Sequence, residues 1–492
     1  MKRDAKGAAA FLALLVVVLA SAAAQAPDRS KPPAPGPPPP LKLPAIQALM
    51  LSNGIPVLFV ETHKVPLVQV AVVVRAGAAS DPQGKPGLAN LTAEMLDRGA
   101  GKRSALELSD AVDHLGAELS TSAGWDATTV ALSVPSERID EALAILADVV
   151  RRPTFPPDEL DRVRKELLTE LLQWRDEPQA IARVAFARAL YGEHAYGRVT
   201  EGSEQSVRAA IRADLEGFHQ AFYGPAGAAI VAAGDATAAS LRALLETAFG
   251  SWSGHAQRAT AVAPADQVRG RSIWLVDRPD AQQSEIRIGR VGPPRSTPDY
   301  FPLIVANTLL GGSFTSRLNQ NLRERHGYTY GAGSAFEFRL STGPFFAGAA
   351  VQTDKTAAAL AEFFAELEAI RKPVSEEELS RAKNYLALRY PAGFETTGQL
   401  AGKLEQKVVY GLPDDYFASY TDRLQKVTAA DIARVTAQYI DPRAVVVVVV
   451  GDRKKIEAGI KALRLGPMRV FSIDDILSRG GSGGRARSPK PK

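Results

Sequence analysis

Two stretches of this chain repeat each other at a fixed displacement, and that repetition limits the fold more than any other feature. FPPDELDRVRKELL (155–168) shares its plan of acidic, basic and leucine positions with VSEEELSRAKNYLA (374–387), about 219 positions later. ALYGEHAYG is echoed by VVYGLPDDY at the same displacement. AAIVAAGDA closes one unit and VVVVVVGDR the other, each an apolar run ending on Gly-Asp (Gly234-Asp235, Gly451-Asp452). A unit of this length that recurs once is a duplicated domain, because each copy is long enough to bury a core of its own.

Within each unit, strand-like segments come before several helices. VALSVP and FFAGAAVQT read as half-buried strands, whereas ERIDEALAILADVV and TAAALAEFFAELEAI carry a helical apolar period. Ser375 and Glu378 form a capping box ahead of the second copy's helix. This order predicts an α+β fold in which each unit is a sheet with helices packed on one face. The halves are placed at 45–260 and 268–466, with the join near SGHAQRATAVAPADQVRG.

The two ends have other tasks. MKRDAK, then FLALLVVVLA, then SAAAQA are the three parts of a secretory signal, read as a signal peptide over 1–24. Its uncharged stretch is at the lower limit for spanning a bilayer, so an uncleaved membrane anchor is the alternative. A Pro-rich linker follows over 25–44, and GGSGGRARSPKPK belongs to a disordered basic tail over 479–492. Export to the periplasm or beyond is the expected localisation. Most of the formal net charge of +5 sits in these ends, which leaves the body nearly neutral and argues against a nucleic-acid partner. The absence of cysteine excludes disulfides, thiolate metal sites and a cysteine nucleophile.

GLANLTAEMLDRG (87–99) has the form of a site helix. Leu88, Leu91, Met95 and Leu96 make one apolar stripe, and Asn90, Ala93 and Glu94 are expected on the opposite face. That face has no histidine and no base at its centre. The six histidines (His63, His114, His194, His219, His255 and His326) include no pair at three-, four- or five-residue spacing. G-x-S-x-G occurs only as GGSGG (480–484) in the Gly-rich basic tail, away from any strand-like run, and there is no Walker A pattern.

Taken together, these segments resemble the pitrilysin/insulinase (M16) family of zinc peptidases over nearly the whole mature chain. LSNGIPVLFVETHKVPLVQVAVVVRAGAASDPQGKPGLANLTAEML is similar to the family's first strands, glycine turn and metal helix. DELDRVRKELLTELLQWRDEP resembles the helix that supplies the third metal ligand, and LLGGSFTSRLNQNLRERHGYTYGAGS the glycine turn, helix and strand of the second half. The resemblance implies two duplicated α/β-roll domains forming a half-clamshell. It also places the family's H-x-x-E-H motif, two zinc-binding histidines and a general base, on Asn90-Leu91-Thr92-Ala93-Glu94. Asn90, Glu94 and Glu170 then stand at degenerate ligand positions and Ala93 at the base position. No metal and no other cofactor is expected in this chain.

The second half keeps what the first has lost. By the same resemblance, Arg323 and Tyr330 fall where the family carries an arginine and a tyrosine that approach the zinc from across the chamber. Both side chains can donate hydrogen bonds to a peptide carbonyl and to the oxyanion formed from it. The plainer alternatives are that Arg323 pairs with Glu324 and that Tyr330 is a strand aromatic, with Tyr328 as a competing candidate on the same side of the strand. Some bacterial members divide the labour between two chains, and this one resembles the subunit without H-x-x-E-H. The implied function is a non-catalytic subunit of an exported heterodimeric zinc peptidase, paired with an H-x-x-E-H paralogue that holds the zinc. The implied substrate is an unfolded peptide. The alternatives are a purely structural or peptide-binding subunit, and a self-sufficient peptidase with an unorthodox metal site, which Ala93 opposes.

Overall fold

The six valines Val445–Val450 form an unbroken apolar run, which suits a strand covered on both faces. In the structure, a computed structural model that describes residues 43–477 apart from 255 and 258, all six are buried. The expected signal peptide, nearly all of the Pro-rich linker, His255 and the basic tail lie outside the described residues. No helix among the described residues is long and apolar enough to cross a membrane.

Apart from a short two-stranded ribbon (Gly99–Ala100 with Arg103–Ser104), the strands of the described residues form two six-stranded sheets. The first contains β1 (Ile46–Met50), β2 (Pro56–Glu61), β3 (Leu67–Val74), β4 (Glu118–Ala123), β5 (Thr128–Pro135) and β6 (Ala228–Gly234), in the order β1-β2-β6-β3-β5-β4. The second contains β7 (Ser272–Asp277), β8 (Gln283–Val291), β9 (Gly333–Phe336), β10 (Pro344–Gln352), β11 (Val446–Gly451) and β12 (Met468–Ser472), in the order β9-β10-β8-β11-β7-β12. Five strands correspond one to one. In both sheets the last strand of the repeat runs parallel to the first (β6 with β2, β11 with β7) and antiparallel to the second (β6 with β3, β11 with β8). The duplication read from the sequence is thus a duplication of topology. It breaks only at the sixth strand: β1 precedes its sheet and is antiparallel to β2, whereas β12 follows and is parallel to β7.

Gly234 shows why the repeat closes on glycine in the first half. Its φ is 143°, and a Cβ there would come within 2.2 Å of the carbonyl oxygen of Leu67 on the neighbouring strand. Only glycine permits that approach.

The helices that shape the site are α1 (Leu88–Met95), α2 (Ile139–Arg151), α3 (Pro157–Gln173), α4 (Pro178–Tyr191), α5 (Thr356–Ala369), α6 (Glu376–Arg389) and α7 (Thr397–Tyr410). The capping box at Ser375 and Glu378 is formed, and the Glu378 carboxylate also takes a two-pronged pair from Arg317 at 3.0 Å. Val68, Val70, Val72 and Val74 of β3 pack with Leu91 of α1, Leu146 of α2 and Val163 of α3 in one core. Ile286, Ile288 and Val447 pack with Phe363 of α5 and Leu379 of α6 in the other.

Each half's own helices cover one sheet face, as expected. What the sequence reading did not foresee is the cover on the opposite face, which comes from the other half. Ala71 and Val73 of β3 and Val231 and Ala233 of β6 pack against Leu400 and Leu404 of α7. Val446, Val448 and Val450 of β11 pack against Ile181, Val184 and Phe186 of α4. This exchange answers the valine run. A strand covered twice has no polar face, so its sequence loses the period of two.

The turn between β9 and β10 fastens the halves further. The Arg339 guanidinium lies 4.2 Å from the ring centroid of Trp125 and 4.6 Å from that of Tyr196, so a cation from one half is enclosed by aromatic faces of the other.

Candidate functional site

The N-terminus of α1 is set by two residues outside it. Gly87 occupies the N-cap with φ 87°, and Asp81 from the preceding loop accepts hydrogen bonds from the N–H groups of Gly87 (2.6 Å) and Ala89 (2.8 Å). Asp81 is buried, and burial pushes its carboxyl up to about 7 against the pull of those N–H donors. Gly87 also lets another loop come close. A Cβ on Gly87 would lie 2.7 Å from the carbonyl oxygen of Glu201, and one on Gly202 would lie 2.4 Å from that of Pro86. Two glycines in contact therefore bring Glu201 to the start of the helix.

Along α1 the apolar stripe is buried as expected, but the opposite face differs from the sequence reading. Ala93 is 1% exposed and Thr92 is fully buried, so the base position is enclosed rather than presented. Asn90 and Glu94, one turn apart, are the half-buried residues left beside the open side. Burial raises the Glu94 carboxyl; Arg98 opposes the shift, and Asp97, Glu170 and Glu166 add to it. Glu170 of α3 is likewise raised, first by burial and then by Glu201, with Arg183 opposing. The structure therefore brings Glu94 and Glu170 into one field, as the sequence reading requires, and adds Glu201 and Arg183. Arg183 of α4 donates to Glu201 at 3.1 Å and stacks over Trp174 at 4.6 Å. Neither Glu201 nor Arg183 had a spacing signal in the sequence; they arrive through the glycine contact and the helix that caps the second sheet.

Arg323 lies in a six-residue π-helical segment, Gln320–Arg325. Its Nε is 3.5 Å from Glu324, the plainer pairing anticipated from sequence, and its guanidinium covers the ring of Phe314 at 4.6 Å. Tyr330 is 91% exposed and lies in the loop before β9, not in a strand. Neither it nor Tyr328 follows strand alternation, so that argument for choosing between them does not hold. Packing separates them instead. Tyr328 stacks on His326 at 4.9 Å and is half-buried against the second core, which leaves Tyr330 as the tyrosine available to a ligand.

Tyr330 stands at a cavity of about 600 Å³ lined by Gln179 of α4, Glu285 and Arg287 of β8, and Phe346 of β10. Arg323 does not line this cavity. The two loops are joined instead by buried Asn319, whose side chain donates to the carbonyl of Phe314 (2.7 Å) and accepts from the N–H of Ala332 (3.3 Å). Helix α4 connects the regions: Gln179 faces the Tyr330 cavity, and Arg183, one turn on, faces Glu170 and Glu201.

The molecule is thus a duplicated α+β chain with α1 facing the acidic helix α3 and an exposed Tyr330 loop in its second half. Residues 56–204 match the family model described as Insulinase (Peptidase family M16), and residues 210–386 match the one described as Peptidase M16 inactive domain. An "uncharacterized zinc protease" of Mycobacterium bovis is 30% identical over 340 residues, covering 68% of this chain and 77% of that protein. A similarly described Bacillus subtilis protein, YmxG, is 25% identical over 279 residues, covering 57% of this chain and 67% of that one. Among solved structures, a peptidase M16 inactive domain from Pseudomonas fluorescens superposes with TM-score 0.77 at 26% identity, covering 82% of this chain and 97% of that one. A protease from Helicobacter pylori has the same fold at TM-score 0.77 and 20% identity, covering 83% and 100%. The chain belongs to the M16 peptidase family.

The zinc that this family implies does not fit the residues present. Asn90, Glu94 and Glu170 offer an amide and two carboxylates, without the imidazoles that zinc prefers. Burial raises both carboxyls, so their ionised, metal-binding forms are disfavoured relative to carboxylates in water. Among the described residues, no group of three His, Asp or Glu side chains stands ready to hold a metal ion. Enclosed Ala93 has no group to take a proton from water.

Proposed function

We propose that this chain is the non-catalytic half of an exported heterodimeric M16 zinc peptidase. It supplies half of the chamber wall, together with Tyr330 and Arg323, to a paralogous subunit that carries H-x-x-E-H. The observation that carries the reading is the contrast between the two halves: Ala93 enclosed at 1% exposure, Tyr330 offered to solvent at 91%. A tyrosine with no packing role is in a position to meet groups outside its own chain. Its hydroxyl would donate to a carbonyl oxygen of an unfolded peptide held by the partner, and Arg323 would add charge from the neighbouring π-helical segment. The N-terminal signal-like segment supports a periplasmic or secreted location.

The test mixes this chain with its H-x-x-E-H paralogue, confirms the complex by sizing, and follows cleavage of an unstructured peptide. Tyr330→Phe is expected to lower kcat by roughly 10²–10³, the usual loss for one oxyanion donor. Full activity from both Tyr330→Phe and Arg323→Ala in an intact complex would reject the role.

One observation favours a second reading, a purely structural or peptide-binding subunit. Arg323 lies over Phe314 instead of lining the cavity with Tyr330. Under that reading, Tyr330→Phe changes peptide affinity and leaves kcat alone.

A further inference from the structure

Where α7 crosses onto the first sheet, a second cavity of about 390 Å³ lies between that helix, β1 and β2. Its wall is formed by Ile46, Leu58, Val60, Leu400, Leu404 and Phe417, and two charged residues reach it, Asp414 and Lys403. Asp414 is paired with Lys407 at 2.8 Å. Lys403 has no such partner. Its ammonium lies 5.3 Å from the ring centroid of Phe394 and 5.8 Å from that of Tyr390, with no carboxylate or carbonyl of the described residues bonded to it. Burial alone moves its pKa, downward, with no anion opposing the shift. The stem is accommodated at Gly393, where a Cβ would stand 3.2 Å from Lys403 Cε. A half-buried cation facing only rings leaves a desolvation cost that an entering anion would offset.

We propose that this cavity binds an amphipathic carboxylate, with an acyl chain along the Ile46, Leu58, Val60 and Leu404 wall and the carboxylate paired with Lys403. The volume is that of a small-ligand site, and the position between elements of two halves is where such sites form. The wall carries too few hydrogen-bonding side chains for a sugar or a nucleotide. The single unpaired charge selects the sign of the headgroup. This site is separate from the chamber residues and does not depend on their role.

The test is calorimetric titration of the full chain with dodecanoate below its micellar concentration, beside dodecanol and dodecyltrimethylammonium. One saturable dodecanoate site per chain is expected, with weaker binding of the other two. Lys403→Met keeps the stem and removes the charge, and should weaken dodecanoate at least about tenfold, the scale of one charge-assisted hydrogen bond. Lys403→Arg should retain most of the affinity. Ala418→Trp, at an exposed lining position, should block the mouth with the lysine intact. Circular dichroism checks that each variant is folded. The proposal is overturned if no saturable binding is found, if dodecanol or the ammonium binds as tightly as dodecanoate, or if folded Lys403→Met or Ala418→Trp binds as the parent does.

Discussion

Arg183 donates to Glu201 at 3.1 Å and, in the same position, faces Glu170, so a guanidinium partly balances the carboxylates gathered at the degenerate metal helix. The counter-ion is built into α4, a helix whose apolar side is fixed by the second sheet. Charge balance here depends on the packing between the halves.

Replacing Arg183 by Gln should therefore leave the carboxylates to repel each other. Glu170 already has its carboxyl raised in the folded state, so its contribution to stability is complete below the unfolded value and lost as pH rises through the folded one. Without Arg183 that loss should deepen. Denaturation at several pH values between 4.5 and 7.5 should show a gap between variant and parent that widens with pH. At neutral pH the gap should be within about 1 kcal/mol, because the pair is partly solvated.

The purified chain should retain no stoichiometric zinc after dialysis, since an amide and two raised carboxyls form a weak site. Elemental analysis decides this, and about one tightly held zinc per chain would refute it. Restoring the base by Ala93→Glu should give no hydrolysis. It should also destabilise the fold by roughly 1–3 kcal/mol or more, because the new carboxyl would enter a position 1% exposed. A urea midpoint at or above the parent's would contradict that placement.

Leu404→Ala on α7 should cost about 2–5 kcal/mol, the range for emptying a well-packed leucine site. Leu404 is 1% exposed and seals the outer face of the first sheet from the second half. Hydrogen exchange should show faster exchange in β3 and β6, although neither strand is altered. Unchanged protection there would mean that the exchanged helices contribute little to the cohesion of the halves.

Tyr330→Phe should leave stability within about 0.5 kcal/mol of the parent, because a ring 91% exposed is not part of a core. Thermal melts of the isolated chain test this directly. A large drop would show that the tyrosine is structural and would weaken the case for a contact with a partner.

His63 should titrate above the usual histidine value, since its ring bonds the Asp235 carboxylate at 2.6 Å and that of Glu61 at 3.1 Å. A raised folded value means that the contribution is full below the unfolded pKa of about 6.5 and disappears as pH rises through the folded one. The parent should thus lose a small increment of stability as pH rises from about 6.5 through the folded value, and His63→Gln should not. Proton NMR of the imidazole provides the titration, and a value at or below the free one would rule out the paired geometry.

The sequence by itself determined the duplication and the α+β class. Those features rest on local periodicity and on repetition, which need no knowledge of what lies opposite. The family resemblance pointed to Glu94 and Glu170 as neighbours, and Glu170 does act on the Glu94 carboxyl. Tertiary structure alone decided three other matters. The exchange of α4 and α7 between the sheets could not be read from either helix, since an apolar stripe states only that it must be covered and not by which half. Ala93 is enclosed because its helix is packed on more than its apolar stripe, whereas helical period describes one buried face at a time. Glu201 and Arg183 join Glu170 through contacts between distant segments, two glycines touching and one helix laid across a sheet. Such contacts depend on shape and leave no period in the chain.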